Sequence, residues 1–224
     1  MDPWARIDLY CERTDWSFWS EPLNALTNLA FVVAAICIVR RVRRERGVVL
    51  WDAAVLAALA VLVGVGSFLF HTFATVWSRW LDLLFIAVFI YLLIARFLAR
   101  VAGLHWPGVL VGLVLYFGLE RAARAAFPPE TLSGSVLYFP PLLAMAVFAV
   151  YAWQRADRAA LPLATAAVAF VGALALRTID QAVCPAWPVG THFLWHLLVA
   201  WVLYLAATAV LAPGRSPAPA TQTG

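Results

Sequence analysis

The sequence predicts an all-α membrane protein that crosses the bilayer seven times. Of its 224 residues, 64% are hydrophobic and only 12% are charged, whereas charged residues make up about 25% of a soluble domain. Apolar runs close to the ~20 residues that a helix needs to span a bilayer recur along the chain. No polar stretch between them is long enough to bury a core, so a separate soluble domain is not expected.

Seven apolar runs set the predicted spans. They cover residues 22–40, 52–72, 80–98, 104–123, 135–153, 160–178 and 190–211. Residues 1–21 then form an extracytoplasmic N-terminal segment, and residues 22–211 form the transmembrane domain. Residues 212–224 are rich in proline, alanine and threonine, which predicts a disordered tail because this composition buries too little apolar surface to fold.

Arginine predicts the orientation of the spans. The sequence RRVRRERG follows the first run and carries five arginines. Positively charged loops are retained in the cytoplasm, so we expect this loop inside, the N-terminus outside and the C-terminus in the cytoplasm of a cell-membrane protein. The formal net charge of +4 comes from arginines near span ends, and it therefore indicates membrane topology and not binding of nucleic acid.

Polar residues inside the apolar runs are candidates for function, because a charged side chain at mid-membrane costs about 2.5–3.5 kcal/mol. The set comprises Ser67, His71, Asp82, Glu120, Asp180, His192 and His196. Ser67 with His71, and His192 with His196, are four residues apart, so each pair shares one helix face. In the seven-span order, both pairs and Asp82 fall at one depth near the extracytoplasmic side.

Three histidines at one depth predict a zinc site. Three imidazole ligands without cysteine are typical of catalytic zinc, whose fourth position stays open for water. Zinc lowers the pKa of that water toward neutrality. The sequence THFLWH lacks the glutamate of the H-E-x-x-H motif, so Asp82 is the candidate general base. Ser67 is the candidate donor to a developing oxyanion.

Each candidate also has a structural interpretation. A lone histidine in a membrane helix more often hydrogen-bonds a neighbouring helix than binds a metal. Ser67 lies in GVGSFLFH, whose small residues would let two helices approach closely. Asp82 follows Arg79 by three residues and would form an ion pair with it. The shared depth of all five candidates nevertheless favours a metal site.

Two other pairs of charged residues have the spacing of ion pairs within a helix. Glu120 lies four residues before Arg124, and Arg177 lies three residues before Asp180. Side chains at these spacings are neighbours on a helix, so we predict structural ion pairs at both places.

The N-terminal segment carries a second candidate site. The sequence DLYCERTDWSFWSEPLNALTN offers oxygen ligands at Asp8, Glu12, Asp15, Glu21, Asn24 and Asn28. Hard oxygen ligands suit calcium, although the EF-hand pattern is absent, and a solvated acidic cap is the alternative. Cys11 and Cys184 both fall outside the membrane and would form a disulfide if that compartment is oxidising.

Four stretches resemble the alkaline ceramidase family of seven-helix membrane hydrolases, whose superfamily includes the adiponectin-type receptors. They are YCER…SEPLNALTN, GVGSFLFH followed by Asp82, RTIDQAVC and THFLWH. The resemblance runs from about residue 8 to residue 205. It implies a disulfide between Cys11 and Cys184, which match a bridged pair of the family.

The resemblance also implies roles for individual residues. It assigns catalytic zinc to His71, His192 and His196, action on the zinc-bound water to Asp82, and help in holding the reacting carbonyl to Ser67.

A calcium site in the N-terminal segment is a further implication of the resemblance. Glu12 and Glu21 fall on calcium-ligand positions of the eukaryotic members. Tyr10 stands where those members have tryptophan, which serves through its backbone, and Thr14 stands where asparagine is usual. Asp8 lies one residue out of register with the first acidic ligand. The calcium would be structural or regulatory.

The family's activity is hydrolysis of the amide bond of ceramide to a sphingoid base and a fatty acid. The substrate would enter from the bilayer, toward an active site near the extracytoplasmic face. Absence of lysine and abundance of alanine favour a bacterial source, in which another N-acyl lipid is an alternative substrate.

Two other classes of protein are alternatives. A seven-helix receptor or sensor would use the zinc site mainly for structure, and would be expected to carry a larger soluble segment. A transporter would use the histidines and aspartate to relay protons or metal, and would be expected to place polar residues across the full membrane depth.

Overall fold

The computed structural model describes residues 2–48 and 50–212. Apart from Ala212, the predicted disordered tail, residues 212–224, lies outside the described residues.

The described chain is helical, which confirms the all-α class. It contains α1 (Pro22–Thr27), α2 (Leu29–Arg46), α3 (Trp51–Phe73), α4 (Val76–Arg100), α5 (Trp106–Ala126), a 3₁₀ segment (Thr131–Tyr138), α6 (Phe139–Gln154), α7 (Ala160–Val183) and α8 (His192–Leu211). Within the described ranges no strand forms, and one isolated bridge joins Arg6 to Thr75.

Six helical stretches are long and apolar enough to cross a membrane, which indicates a membrane-embedded protein. They are Pro22–Arg46, Trp51–Phe73, Val76–Arg100, Thr131–Gln154, Ala160–Val183 and His192–Leu211. They agree with six of the seven predicted spans, and the seventh predicted span, 104–123, corresponds to α5.

Helix α5 also connects the two ends of the bundle, although it is not among the six stretches that are long and apolar enough to cross a membrane. Helix α4 ends at Arg100, whose guanidinium lies 3.1 Å from Asp52 at the start of α3. The segment after α5 lies at the other end, where Ser133 Oγ donates a hydrogen bond of 3.1 Å to the carbonyl of Thr178. Helix α5 has 21 residues, which is long enough to span a bilayer. The seven-span count and the orientation stay predictions.

The ion pair predicted between Glu120 and Arg124 is not among those formed by the described residues. Instead Tyr91 Oη donates a hydrogen bond of 2.6 Å to Glu120 Oε2. This hydrogen bond joins α4 to α5. The Glu120 carboxylate therefore links two helices and does not form an ion pair within α5.

The middle of the bundle is apolar. Helix α8 packs against α2, α3, α4 and α7, and α3 buries Leu56, Ala60 and Val63 along its centre. These side chains lie between Asp52 and His71, which are about 28 Å apart at the rise of an α-helix. The described core therefore separates two polar ends.

The second polar end was not predicted from the sequence. Asp52 is fully buried, and its Oδ2 lies 2.6 Å from Arg96 and 3.1 Å from Arg100. Arg46, the last residue of α2, donates hydrogen bonds to the carbonyls of Leu211 and Ala212 at the end of α8. Buried charge therefore occurs at both ends of the bundle, in addition to the five candidate residues that share one depth.

Removing the carboxylate of Asp52 should destabilise the bundle strongly. Asp52→Ala leaves two guanidinium groups without their buried partner, which costs about 3–5 kcal/mol. Glu45→Ala breaks the exposed Arg41–Glu45 pair and should cost less than about 1 kcal/mol. Denaturant unfolding of both variants in one detergent measures the difference, and equal losses would contradict the assignment of Asp52 as a buried partner.

Candidate metal centre

The structure brings His71, His192 and His196 together. Helix α3 supplies His71 near its end, and α8 supplies the other two in its first two turns. One nitrogen from each ring lies within 4.8 Å of the others, and all three residues are at most 2% exposed. Within the described part of the chain, this is the one group of three histidine, cysteine or acidic residues arranged to share an ion.

Hydrogen bonds fix the tautomers of two of these rings. His71 Nδ1 lies 2.6 Å from Glu21 Oε2, a carboxylate that can only accept. His196 Nδ1 lies 2.9 Å from Thr27 Oγ1, which donates its own proton to the carbonyl of Leu23 at 2.7 Å. Both Nδ1 atoms therefore donate, and in the neutral rings both Nε2 atoms carry lone pairs.

The two Nε2 atoms face each other at 3.2 Å. Two lone pairs at this separation repel unless a cation lies between them. Nitrogens bound to one tetrahedral ion at about 2.0–2.1 Å lie about 3.3 Å apart, so a metal ion fits. A proton shared between the two Nε2 atoms would also relieve this repulsion. It would leave His192 unexplained, however, because His192 Nδ1 is buried without a protein partner in the described chain.

Tyr10 covers the third histidine. Its ring stacks on His192 with centroids 3.6 Å apart and an interplanar angle of 16°. Burial raises the pKa of the Tyr10 phenol well above its usual range, so the ring stays neutral. The N-terminal segment thus closes one side of the centre with an uncharged aromatic face.

Asp180 positions the start of α8. Its Oδ1 accepts from the backbone N–H groups of Thr191 at 2.6 Å and His192 at 2.9 Å, and its Oδ2 accepts from Cys11 N at 2.9 Å. The prediction that Asp180 pairs with Arg177 is therefore wrong, because its oxygens serve backbone donors. This buried carboxylate sets the position of His192 and holds the N-terminal segment beside it.

A disulfide joins Cys11 to Cys184, as the resemblance implied. The Cα atoms lie 5.4 Å apart, which is usual for a disulfide. Since Cys184 directly follows α7, the bridge ties the N-terminal segment to the same end of the bundle as Asp180.

Close packing of α3 against α4 brings Asp82 to the level of Ser67. A Cβ on Gly66 would lie 3.0 Å from the carbonyl oxygen of Leu81 and 3.1 Å from the Cα of Asp82. Gly66 thus lets these helices approach closely, which is the structural interpretation that the sequence GVGSFLFH allowed. Ser67 Oγ in turn lies 3.4 Å from His196 Nε2, on the side of the facing lone pairs.

Asp82 is half-buried, and its carboxylate forms no hydrogen bond or ion pair with a described residue. The alternative in which Asp82 pairs with Arg79 is therefore not realised. Asp82 also lies outside the group of three possible ligands. A carboxylate near the histidines without a protein partner is available to a bound molecule.

Glu12 and Glu21, two of the predicted calcium ligands, bind protein donors. Glu12 accepts from the backbone N–H groups of Leu23 at 2.7 Å and Asn24 at 2.8 Å, which caps the start of α1. Burial raises the pKa of the Glu12 carboxyl, against the lowering effect of these two bonds. Thr14 is exposed and donates its N–H to Ser20. Calcium binding stays a prediction, and this geometry does not add to it.

The positive charge beside Glu21 belongs to Arg13. Arg13 Nε lies 2.6 Å from Glu21 Oε1, and its NH2 group donates to the carbonyl of His71 at 2.7 Å. Burial disfavours the charged form of Glu21, but the bond from His71 and the charge of Arg13 outweigh burial and lower its pKa. The ionised Glu21 orients His71, a role that carboxylates often play beside metal-bound histidines.

Three supporting residues escaped prediction: Thr27, Glu21 as a partner of His71, and Asp180 as the cap of α8. Each acts on a residue distant in sequence or across a loop, for example 169 positions for Thr27 and His196. No local spacing or motif in the sequence indicates such a pair. The burial of Glu21 and Asp180, which the structure shows, is the first sign that these carboxylates support the histidines.

The fold and the site together define a helical, membrane-type protein with a buried three-histidine centre suited to a metal ion. Comparison of the sequence with protein-family models finds no match, and comparison with curated proteins finds none either.

Loss of the Thr27 hydroxyl should weaken metal binding without abolishing it. Thr27→Ala removes the acceptor of His196 Nδ1, and loss of such a partner costs about 10- to 100-fold in affinity. Thr208→Ala is the matched control, because Thr208 makes the same bonds to preceding carbonyls of its helix without contacting a histidine. Chelator competition measures affinity. Wild-type affinity in Thr27→Ala would contradict this role.

Gly190 should be required for the geometry of His192. Gly190 has a φ of +64°, and a Cβ there would overlap Asp180 Oδ1 and Cys11 Cβ. Gly103 has a φ of +71° with nothing nearby, so Gly103→Ala carries only the backbone strain of about 1–3 kcal/mol. Gly190→Ala should lower the bound metal per protein, measured by elemental analysis, whereas Gly103→Ala should not. Equal metal content would refute the argument.

Proposed function

We propose that the protein is a zinc-dependent membrane amidase that hydrolyses the N-acyl bond of ceramide or a ceramide-like lipid. The products are a long-chain amine and a fatty acid. The observation that carries the proposal is the pair of Nε2 atoms of His71 and His196, 3.2 Å apart with both lone pairs facing inward. The third histidine and the supporting bonds to Glu21 and Thr27 complete a site of the kind that catalytic zinc uses.

The donor set supports zinc among the common metals. Three neutral imidazoles suit zinc better than calcium or magnesium, which prefer oxygen ligands. Three protein ligands leave a fourth position for water or substrate. Bound zinc would polarise the amide carbonyl and make water more acidic.

Asp82 would move the proton in the reaction. Its carboxylate has no partner in the described chain, so it is free to take a proton from the attacking water and return it to the leaving amine. The carbon–nitrogen bond breaks as the new carbon–oxygen bond forms, and the proton ends on the amine. Ser67, beside His196, would donate a hydrogen bond to the oxygen of the reacting carbonyl.

An apolar groove beside the centre supports a lipid substrate. It lies between α2 and α8, has a volume of about 460 Å³, and is lined by Ala30, Val33, Ala34, Cys37, Leu197, Ala200, Trp201 and Tyr204. Leu197 directly follows the ligand His196, so the groove begins at the depth of the metal centre, where an acyl chain would lie with its amide at the level of the histidines. Hydrocarbon binding there needs no polar partner.

The transporter alternative has weaker support. Polar groups occur at both ends of the bundle, but the buried side chains between Asp52 and His71 on α3 include Leu56, Ala60 and Val63. A proton or metal pathway requires polar groups through this middle region. The described core does not provide them along α3.

Metal analysis with amide hydrolysis tests the proposal. Wild type should bind about one zinc and cleave at least one lipid of a panel of ceramides and other N-acyl lipids. His196→Ala should lose both metal and activity. Asp82→Asn should keep the metal and lose about 100-fold or more in rate, whereas Asp157→Asn, in the loop before α7, should be unaffected.

Two results would contradict the amidase. Absence of zinc from wild type would remove the metal site itself. Zinc without cleavage of any lipid amide would favour the alternative of a receptor or sensor with a mainly structural zinc site. Repeating the assay with and without calcium tests the separate prediction of a calcium site.

A further inference from the structure

A polar cavity of about 510 Å³ lies at the histidine end of the bundle. It is lined by Asp8, Leu9, Tyr10, Cys11, Arg13, Arg79, Pro129, Glu130, Ser133, Gly134, Arg177, Gln181 and Cys184. Tyr10 both lines this cavity and stacks on His192, so the cavity adjoins the centre. A substrate whose acyl chain fills the groove would extend its amine portion toward the cavity.

The cavity lining includes a buried positive charge that no carboxylate contacts. Arg177 is 8% exposed, and it donates to the carbonyl of Ser133 at 2.7 Å and to Ser135 Oγ at 3.0 Å. Its guanidinium also lies over the rings of Tyr138 and Trp195. None of these partners is anionic, and no ion pair of the described residues includes Arg177.

Arg79 adds a second such charge. It is half-buried, and its side chain has no hydrogen bond or ion pair with a described residue. Arg13 also lines the cavity, but Glu21 balances its charge.

The acidic residues of the cavity do not balance these two charges. Asp8 and Glu130 are both exposed, so water screens them at the rim. Asp82 on α4 lies close enough to interact with the charges of both Arg79 and Arg177, although it forms no ion pair with either. Its single negative charge can offset only one of the two guanidinium groups. The lining therefore has an excess of guanidinium charge, and of the two arginines without an ion pair Arg177 is more deeply buried than Arg79.

We infer that this cavity receives an anionic headgroup, so that the substrate is an N-acyl lipid with a carboxylate or phosphate on its amine side. A buried charge without a counter-charge is costly, and a guanidinium matches carboxylate and phosphate in geometry as well as charge. The inference rests on the proposed function, and it narrows the substrate from neutral ceramides to acidic N-acyl lipids.

Equilibrium binding tests the inference without requiring turnover. Zinc-free wild-type protein, which keeps the Asp82 carboxylate but should not turn over, would be titrated in uncharged detergent with N-lauroylglycine, which is anionic, and with N-lauroylethanolamine, its neutral counterpart. N-lauroylglycine should bind more tightly. Adding Arg79→Gln or Arg177→Gln should weaken its binding by about 10- to 100-fold, and should leave binding of the neutral lipid unchanged.

Two controls separate charge recognition from loss of structure. Arg124→Gln removes an exposed arginine outside the cavity and should change neither affinity. Because the Arg79 side chain has no bond to a described residue, Arg79→Gln should fold like wild type even if Arg177→Gln does not.

Three outcomes would overturn the inference. They are equal affinity for the two lipids, an unchanged preference in Arg79→Gln, and inorganic phosphate binding as tightly as N-lauroylglycine, which would indicate a site for soluble anions. Failure of the amidase proposal is distinct, because charge-selective binding would then persist while wild-type protein cleaves neither lipid.

Discussion

The site depends on two imidazole lone pairs that face each other at 3.2 Å. Nothing within either helix would hold them there, since each ring could rotate toward another acceptor. Glu21 and Thr27 prevent this rotation by accepting from Nδ1 of His71 and His196. The protein thus holds in place a repulsion that a cation relieves, which is how a buried metal site is preorganised.

The residues that stabilise this arrangement come largely from outside the long helices. Glu21 accepts from Arg13 and His71, so one carboxylate links the N-terminal segment to α3. Asp180 accepts hydrogen bonds from the backbone N–H of His192 at the start of α8 and from the backbone N–H of Cys11 in the N-terminal segment. A low-dielectric environment strengthens these charge-assisted bonds. The N-terminal segment is consequently part of the centre and not merely a cover over it.

The two ends of the bundle differ in how their buried charges are paired. At the end opposite the histidines, Asp52 is balanced by Arg96 and Arg100. At the histidine end, Arg79 and Arg177 line a cavity and form no ion pair with a described residue, although Asp82 lies near both. Paired buried charge serves stability, whereas charged groups that no protein group contacts, such as Arg79 and Asp82, are the basis of the proposed roles in binding and catalysis.

The sequence by itself determined the helical class, six of the membrane-type stretches and the pairing of histidines on helix faces. These features depend on hydrophobicity and on 3.6-residue periodicity, which are local. Only the tertiary structure decided that Glu21 binds His71, that Asp180 caps α8 instead of pairing with Arg177, and that Asp52 is neutralised. Each of these contacts joins residues on different elements, and a buried donor selects its acceptor by proximity in the fold and not by distance along the chain.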